Sequence, residues 1–337
     1  MTRRIRFGLI GTGRIGQVHF RTLTASPDTE LTWIADAFPD AARELAEPVG
    51  AKVSADPFRL IRSGEVDAVV IASPTSTHLE LIEEAIDRGV AVLCEKPIDL
   101  DIDRVDGLRD KAAASQVPVA LGFNRRMDPA FSEVRSRVEA GEIGTLEGIS
   151  IVSRDPAPPP EAYLGVSGGI FRDMTIHDLD MARFFVDDIV EVSASGSCLF
   201  DENARRLGDF DSAVVTLVSR AGVLISITNS RHSATGHDQR LEAFGSAGTL
   251  NVLNASTSLV TASTASSVES RATYQEFFLE RYSEAYRLEI EEFVKLLRGE
   301  PSRCATYEDG RAALLLANAA QLSAESGRRI AVDLGRG

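Results

Sequence analysis

The sequence predicts an α/β protein: an N-terminal doubly wound parallel sheet, followed by a second α/β domain built on a large, mostly antiparallel sheet. Three observations carry that expectation. Short, almost wholly apolar runs alternate with helical stretches over the first third of the chain. After about Asn124 the runs lengthen and alternate with period two, and Gly11-Thr12-Gly13-Arg14-Ile15-Gly16 stands where the first run gives way to a helix. Strands apolar on both faces belong in a parallel sheet covered by crossover helices, whereas period-two alternation marks a sheet with one buried face.

In chain order, Ile5–Ile10, Leu31–Ala35, Asp67–Ala72, Ala91–Cys94 and Val117–Leu121 read as the strands of a first domain spanning 1–123. Thr75-Ser76-Thr77 precedes a periodic run Leu79–Ile86 that ends at Gly89, and Asp101 heads a run ending near Ser115, both helix signals. A second domain, 124–337, opens with a helix over Pro129–Ala140 closed by Gly141. It continues with strands at Leu146–Ser153, Val190–Leu199, Ser212–Ser219, Val223–Ser230, Arg240–Phe244 and Thr249–Leu253. Tight turns at Arg220-Ala221-Gly222 and Ser246-Ala247-Gly248 make neighbouring strands antiparallel. Helices are expected at Ile176–Phe185, Glu276–Leu297 and Tyr307–Ser326; whether the last of them cover this sheet or return to the first domain stays open. Pro156, Pro158, Pro159 and Pro160, followed by Gly165, Gly168 and Gly169, read as a loop bordering a site, and Ala255–Ser267 as an exposed strand pair or flexible connection.

Composition narrows the function classes. At about 150 residues per domain, 337 residues suit two domains. Lys and Arg total 36 against 50 Asp and Glu, and the net charge of −14 repels phosphate backbones and anionic lipid, so nucleic acid is not an expected partner. No apolar run reaches the length of about 18 residues that a membrane span needs. Cys94, Cys198 and Cys304 form no C-x-x-C pair, and their odd number argues against a disulfide framework, which suits a reducing cytoplasm.

The glycine run is G-x-G-x-x-G in the context that gives it meaning. Gly11 permits the turn, Gly13 lets a pyrophosphate approach the backbone, and Gly16 packs helix against strand, while the helix start at Arg14 and Ile15 presents N–H groups to the anion. Asp36 ends the second strand 20 residues after Gly16, placed to accept from adenosine ribose hydroxyls and to repel a 2′-phosphate, so NAD is the expected cofactor.

Hydride transfer from an alcohol to a nicotinamide needs a base that titrates near neutrality. Among five histidines, His177 stands four residues after Asp173, so a helix beginning at Asp173 puts carboxylate and imidazole on one face. An N-capping aspartate with a surface histidine is the plainer reading of the same spacing. His19 is expected to pack or face solvent. Asp178 and Asp180 beside His177 cannot converge on one face, so no metal site is expected. Lys96, in Glu95-Lys96-Pro97, follows the strand Ala91–Cys94 at the edge where open α/β sheets bind ligands, where an ammonium can favour a developing alkoxide.

These residues resemble the Gfo/Idh/MocA oxidoreductases, and within them the inositol 2-dehydrogenase branch. The likeness runs nearly end to end. It rests on Gly11–Gly16, on Ala72-Ser73-Pro74-Thr75 with His78, on Glu95-Lys96-Pro97, on Gly122-Phe123-Asn124-Arg125-Arg126-Met127-Asp128, and on Gly168 through Asp180. The resemblance implies an N-terminal Rossmann domain and a C-terminal α/β domain whose large open sheet mediates a homotetramer. It implies that Ser73, Pro74, Thr75, His78, Glu95 and Lys96 join the cofactor site, and that Lys96, Asp173 and His177 are the catalytic trio. It also implies that Pro97 follows a cis peptide bond. Asn124, Arg125, Asp155, His237 and Tyr282 would line the substrate pocket with Lys96, Asp173 and His177. One departure stands out: Gly236-His237-Asp238 replaces the Gly-Tyr-Asp common in similar sequences.

The expected activity is NAD-dependent oxidation of a cyclic polyol hydroxyl, myo-inositol to 2-keto-myo-inositol (scyllo-inosose). Another inositol isomer or a pyranose sugar is the near alternative. An NAD-using glycoside hydrolase and a non-catalytic NAD-binding sensor are the more distant ones.

Overall fold

The computed structural model describes residues 3–335. The chain forms two compact units: the residues up to Met127 with Glu284–Ala312, and Asp128–Ser283 with the residues from Ala313 onward. The first unit therefore runs past the expected limit at 123 and takes back a later segment, so the second is not the unbroken stretch 124–337. The cause is burial. Phe293 of the helix Ser283–Leu297 packs edge-on against Phe7, ring centroids 6.1 Å apart. The Tyr307 hydroxyl donates to the Val105 carbonyl at 2.7 Å. Ala305–Thr306 adds an antiparallel edge strand to the first sheet.

In the first unit, β1 (Ile5–Ile10), β2 (Thr29–Ala35), β3 (Lys52–Ser54), β4 (Ala68–Ile71), β5 (Ala91–Cys94) and β6 (Val119–Leu121) lie in the order β6-β5-β4-β1-β2-β3. Their pairings are all parallel. Every residue of β4 and β5 is buried, as strands covered on both faces must be. Strand β3 carries no sequence signal, because Lys52-Val53-Ser54 is too short and too polar to stand out. The last strand begins at Val119 rather than Val117, since Pro118 has no N–H to give a ladder.

In the second unit, β7 (Leu146–Arg154), β8 (Ile189–Ser197), β9 (Ser212–Ser219), β10 (Leu224–Ser230), β11 (Asp238–Gly245) and β12 (Gly248–Val252) lie in the order β12-β11-β7-β10-β9-β8, with Ile330–Ala331 beside β8. Strands β7 and β10 pair in parallel, and the other pairs are antiparallel. The sheet is thus mixed, because two antiparallel strands and the helix Ile176–Phe185 intervene between these sequence-distant partners. One face is buried through Ile149, Ile151, Val215, Leu217, Ile225, Ile227 and Leu241. The stretch after β12 holds a short exposed hairpin, Thr261–Ala262 with Ser270–Arg271. The helix expected over Glu276–Leu297 is broken at Tyr282 into Phe278–Arg281 and Ser283–Leu297. The proline-rich loop holds a helical turn, Glu161–Leu164.

Candidate active site

The carboxyl ends of β1, β2, β4 and β5 bring the predicted cofactor residues to one edge of the first sheet. Gly11 has φ +93°, and a Cβ on it would lie 2.6 Å from the Ala72 carbonyl oxygen. A Cβ on Gly16 would lie 2.1 Å from the Gly11 carbonyl oxygen, while one on Gly13 would meet no protein atom within 4 Å. Gly13 therefore faces open space, and it heads the helix Arg14–Ala25 with no side-chain cap and no acid in the first turn. This cradle fits a dinucleotide pyrophosphate.

Asp36 faces the same turn. Its Oδ2 accepts from the Thr12 N–H at 2.7 Å and the Thr12 hydroxyl at 2.6 Å, and its Oδ1 accepts from the Phe38 N–H at 2.8 Å. Partial burial opposes its charge, but the bonds from Thr12 and Phe38 outweigh burial and hold the carboxyl below its ordinary range. The residue thus starts the turn after β2 and presents a fixed carboxylate at the strand end.

Ser73 and Pro74 follow β4, and Thr75 opens the 3-10 turn Thr75–Thr77, with the Ser73 and Thr77 hydroxyls 2.6 Å apart. His78 is buried. Its ring lies between two backbone carbonyls, Nδ1 2.8 Å from the Pro97 oxygen and Nε2 2.9 Å from the Ser73 oxygen, one of which the neutral ring can donate to, so its part in the site is to pack the loop after β4 against the loop after β5. The Lys96–Pro97 bond is cis. Lys96 is half-buried at the end of β5. Asn124 and Arg125 open a 3-10 turn over Asn124–Met127 and are buried in this same unit.

Burial pushes the His78 imidazole below its ordinary 6.5, the Pro97 and Ser73 carbonyls only partly opposing. Below 6.5 the unfolded chain then takes up a proton that the folded one refuses, so stability falls as pH falls. The melting temperature is expected to drop between pH 6.5 and about 5.5, with a shallower drop in His78→Gln. Calorimetry at both pH values checks this; parallel slopes for the two proteins would assign the loss to other groups.

His19 neither faces solvent nor merely packs. Its Nε2 lies 2.8 Å from Glu95 Oε1, and its ring meets Tyr286 edge-on at 5.8 Å. The other Glu95 oxygen is wedged against Gly122, where a Cβ would lie 2.9 Å from it. Glu289 is wholly buried nearby. Burial first, and the Glu95 charge second, push its carboxyl well above the ordinary range, which favours its neutral form.

In the second unit the segment before His177 is not the simple helix start that the spacing suggests. Phe171–Thr175 is a π-helical turn leading into the helix Ile176–Phe185, and such turns recur at functional sites. Asp173 lies within that turn and His177 follows it, half-buried. The Asp173 Oδ1 accepts from the Tyr163 hydroxyl at 2.7 Å, and Oδ2 lies 3.4 Å from Arg231 Nη1. Thr175 donates to the Asn229 side-chain oxygen at 2.7 Å, and the Asn229 amide donates to Asp178 at 2.7 Å. Asp178 is therefore an interior acceptor. No cluster of three or more His, Cys, Asp or Glu poised for a metal occurs among the described residues.

Asp155, His237 and Tyr282 also come together. His237 Nδ1 lies 3.3 Å from Asp155 Oδ1, and its ring meets Tyr282 edge-on at 5.8 Å. Both rings are only 2% exposed. The Tyr282 hydroxyl donates to Gln239 Oε1 at 3.1 Å, an oxygen that also accepts from Ser153. Tyr282 thus backs His237 from the interior, and Asp155 is the more open member. Of the residues that sequence reasoning passed over, Thr12 was discoverable inside the glycine motif. Tyr163 and Arg231 were not, since their partner lies 10 and 58 residues away, and neither was the contact of His19 with Glu95, 76 residues away.

Residues 5–123 match the Gfo/Idh/MocA oxidoreductase family model with its NAD-binding Rossmann fold, and residues 131–251 match the Gfo/Idh/MocA C-terminal domain. The inositol 2-dehydrogenase of Rhizobium meliloti (strain 1021) is 42% identical over 330 residues, covering 97% of this chain and 99% of that protein. A crystal structure of a myo-inositol dehydrogenase from Corynebacterium glutamicum ATCC 13032 is 48% identical, with a TM-score of 0.93 over 98% of this chain and 99% of that one. The scyllo-inositol dehydrogenase from Lactobacillus casei, solved with bound cofactor NAD(H) and scyllo-inositol, is 28% identical with a TM-score of 0.89, covering 98% of this chain and 99% of that one. The glycine turn and Asp36 lie within the stretch matched by the first model and most of the mixed sheet within that matched by the second: the chain belongs to the Gfo/Idh/MocA oxidoreductases and carries their NAD-binding Rossmann fold.

Proposed function

We propose that this chain is an NAD-dependent inositol 2-dehydrogenase, converting myo-inositol to 2-keto-myo-inositol (scyllo-inosose) with NADH as the other product. The observation that carries the reading is the set of strand ends that gathers Gly11–Gly16, Asp36, Ser73 and Lys96 on one edge, in a chain 42% identical to an inositol 2-dehydrogenase along nearly its whole length. NAD, when bound, accepts the hydride. His177 takes the hydroxyl proton, Asp173 orients the imidazole and stabilises its cation, and Lys96 holds the reacting oxygen as negative charge grows on it.

Asn124, Arg125, Asp155 and His237 supply donors and acceptors for the remaining ring hydroxyls, each of which costs about 1–3 kcal/mol if buried unpaired. Tyr282 supports His237. The scyllo-inositol held by the Lactobacillus casei relative makes that isomer the second substrate to test.

The outward face of the second sheet aligns Phe244, Gly148 and Leu224 across three strands, with Phe244 and Leu224 exposed, a surface suited to a homotetramer. The three cysteines are free thiols, which supports a cytoplasmic setting, and no described helix is long and apolar enough to cross a membrane.

The test is NADH formation from myo-inositol, scyllo-inositol and pyranoses, with NAD and NADP compared in wild type and Asp36→Ala. Wild type is expected to prefer myo-inositol and NAD. Loss of a charged hydrogen-bonding partner of the ribose is expected to lower kcat/KM for NAD about 10- to 100-fold and to weaken discrimination against NADP. Aglycone release from a glycoside without NADH would point to the hydrolase instead.

A further inference from the structure

We propose that Arg231 is a positioning residue of this reaction, a buried guanidinium that fixes the orientation of Asp173 so that Asp173 can support His177. The inference rests on the function proposed above. Arg231 follows directly on β10, is 1% exposed, and is among the largest wholly buried side chains of the protein. Its Nη1 lies 3.4 Å from Asp173 Oδ2 and its Nη2 lies 3.4 Å from Asp209 Oδ2. Asp209 is itself fixed. Its Oδ1 accepts from the Ile170 N–H at 2.9 Å and occupies the space beside Gly169, where a Cβ would lie 2.9 Å from it.

Anion, cation and anion thus stand in a row from Asp209, which holds the N–H of Ile170 just before the π-helical turn, to Asp173 inside that turn. The row couples the geometry of the turn to the placement of Asp173. The Arg231 backbone is pinned as well, its N–H donating to the Asp211 carbonyl at 2.8 Å. Tyr163 engages the second oxygen of Asp173 from the half-exposed turn Glu161–Leu164. The titratable and charged groups about Asp173 include Tyr163, Arg231 and, behind it, Asp209, with His177 and Asp178 on its own segment; Asp178 is turned to Asn229. At 3.4 Å the guanidinium contacts are long, so Arg231 acts through its charge and its planar span between two acids more than through short bonds.

The test compares Arg231→Lys, Arg231→Met and Tyr163→Phe with wild type in pH profiles of kcat/KM for myo-inositol, alongside NADH affinity and melting temperature. Lysine keeps the charge but cannot span both acids, and is expected to lower kcat about 10-fold. Methionine is expected to lower it about 100-fold or more, with the acid limb of the profile moved about one unit to higher pH. NADH affinity is expected to stay within about twofold of wild type, because the nucleotide residues lie in the other unit. If Arg231→Met does not fold, Arg231→Lys and Tyr163→Phe decide, each expected to move the acid limb in the same direction by less. A folded Arg231→Lys and Tyr163→Phe whose profiles superpose on wild type would overturn the inference alone. A wild type that oxidises no polyol would overturn the proposed function and this inference with it.

Discussion

Replacing His177 by alanine is expected to lower kcat by about 10²- to 10⁴-fold, the span that a positioned general base supplies. The residue sits half-buried just beyond the π-helical turn Phe171–Thr175, one turn after an acid whose oxygens are engaged by Tyr163 and Arg231. In the proposed mechanism this ring is the proton acceptor, and its removal leaves Asp173 without a base to orient. NADH affinity should be unchanged, since Gly11–Gly16 and Asp36 belong to the other unit. Stopped-flow and steady-state NADH formation measure the loss, and a fluorescence titration of NADH measures what is retained. Turnover in His177→Ala within tenfold of wild type, a margin of about 1.4 kcal/mol, would place the base elsewhere.

The second large effect separates two glycines of one motif. In Gly16→Ala the new methyl would lie 2.1 Å from the Gly11 carbonyl oxygen and 2.8 Å from the Gly11 carbonyl carbon, both backbone atoms. The helix Arg14–Ala25 must then move off the turn, at a cost of about 1–3 kcal/mol and with loss of the pyrophosphate cradle. Gly13→Ala meets no protein atom within 4 Å, so its melting temperature should stay near wild type while its affinity for NAD falls, the methyl standing where the pyrophosphate comes. Thermal melting without cofactor, followed by NADH titration, distinguishes the two. Equal destabilisation in both variants would mean that Gly13 does not face the ligand.

The parallel sheet was legible because β4 and β5 are buried on both faces and their composition says so. The glycine turn was legible because backbone sterics at Gly11 and Gly16 act between neighbours in the chain. The strand-end positions of Asp36 and Lys96 follow from the same local logic. The expected pairing of Asp173 with His177 rests on i to i+4 spacing, while the turn between them is π-helical and the structure also sets Tyr163 and Arg231 against Asp173. No periodicity announces either partner. The return of Glu284–Ala312 to the first unit was left open in the sequence because an amphipathic helix states that it needs a cover and not which cover.

What the chain determines by itself, then, is the set of elements and the motif at the first strand end, since these depend on covalent geometry, on side-chain alternation and on residues a few positions apart. Only the tertiary structure decides that β7 lies parallel to β10, that His19 holds Glu95, and that Arg231 lies between Asp173 and Asp209. Those contacts join residues tens of positions apart, and their free energy comes from burial and charge pairing that exist only once the units are packed.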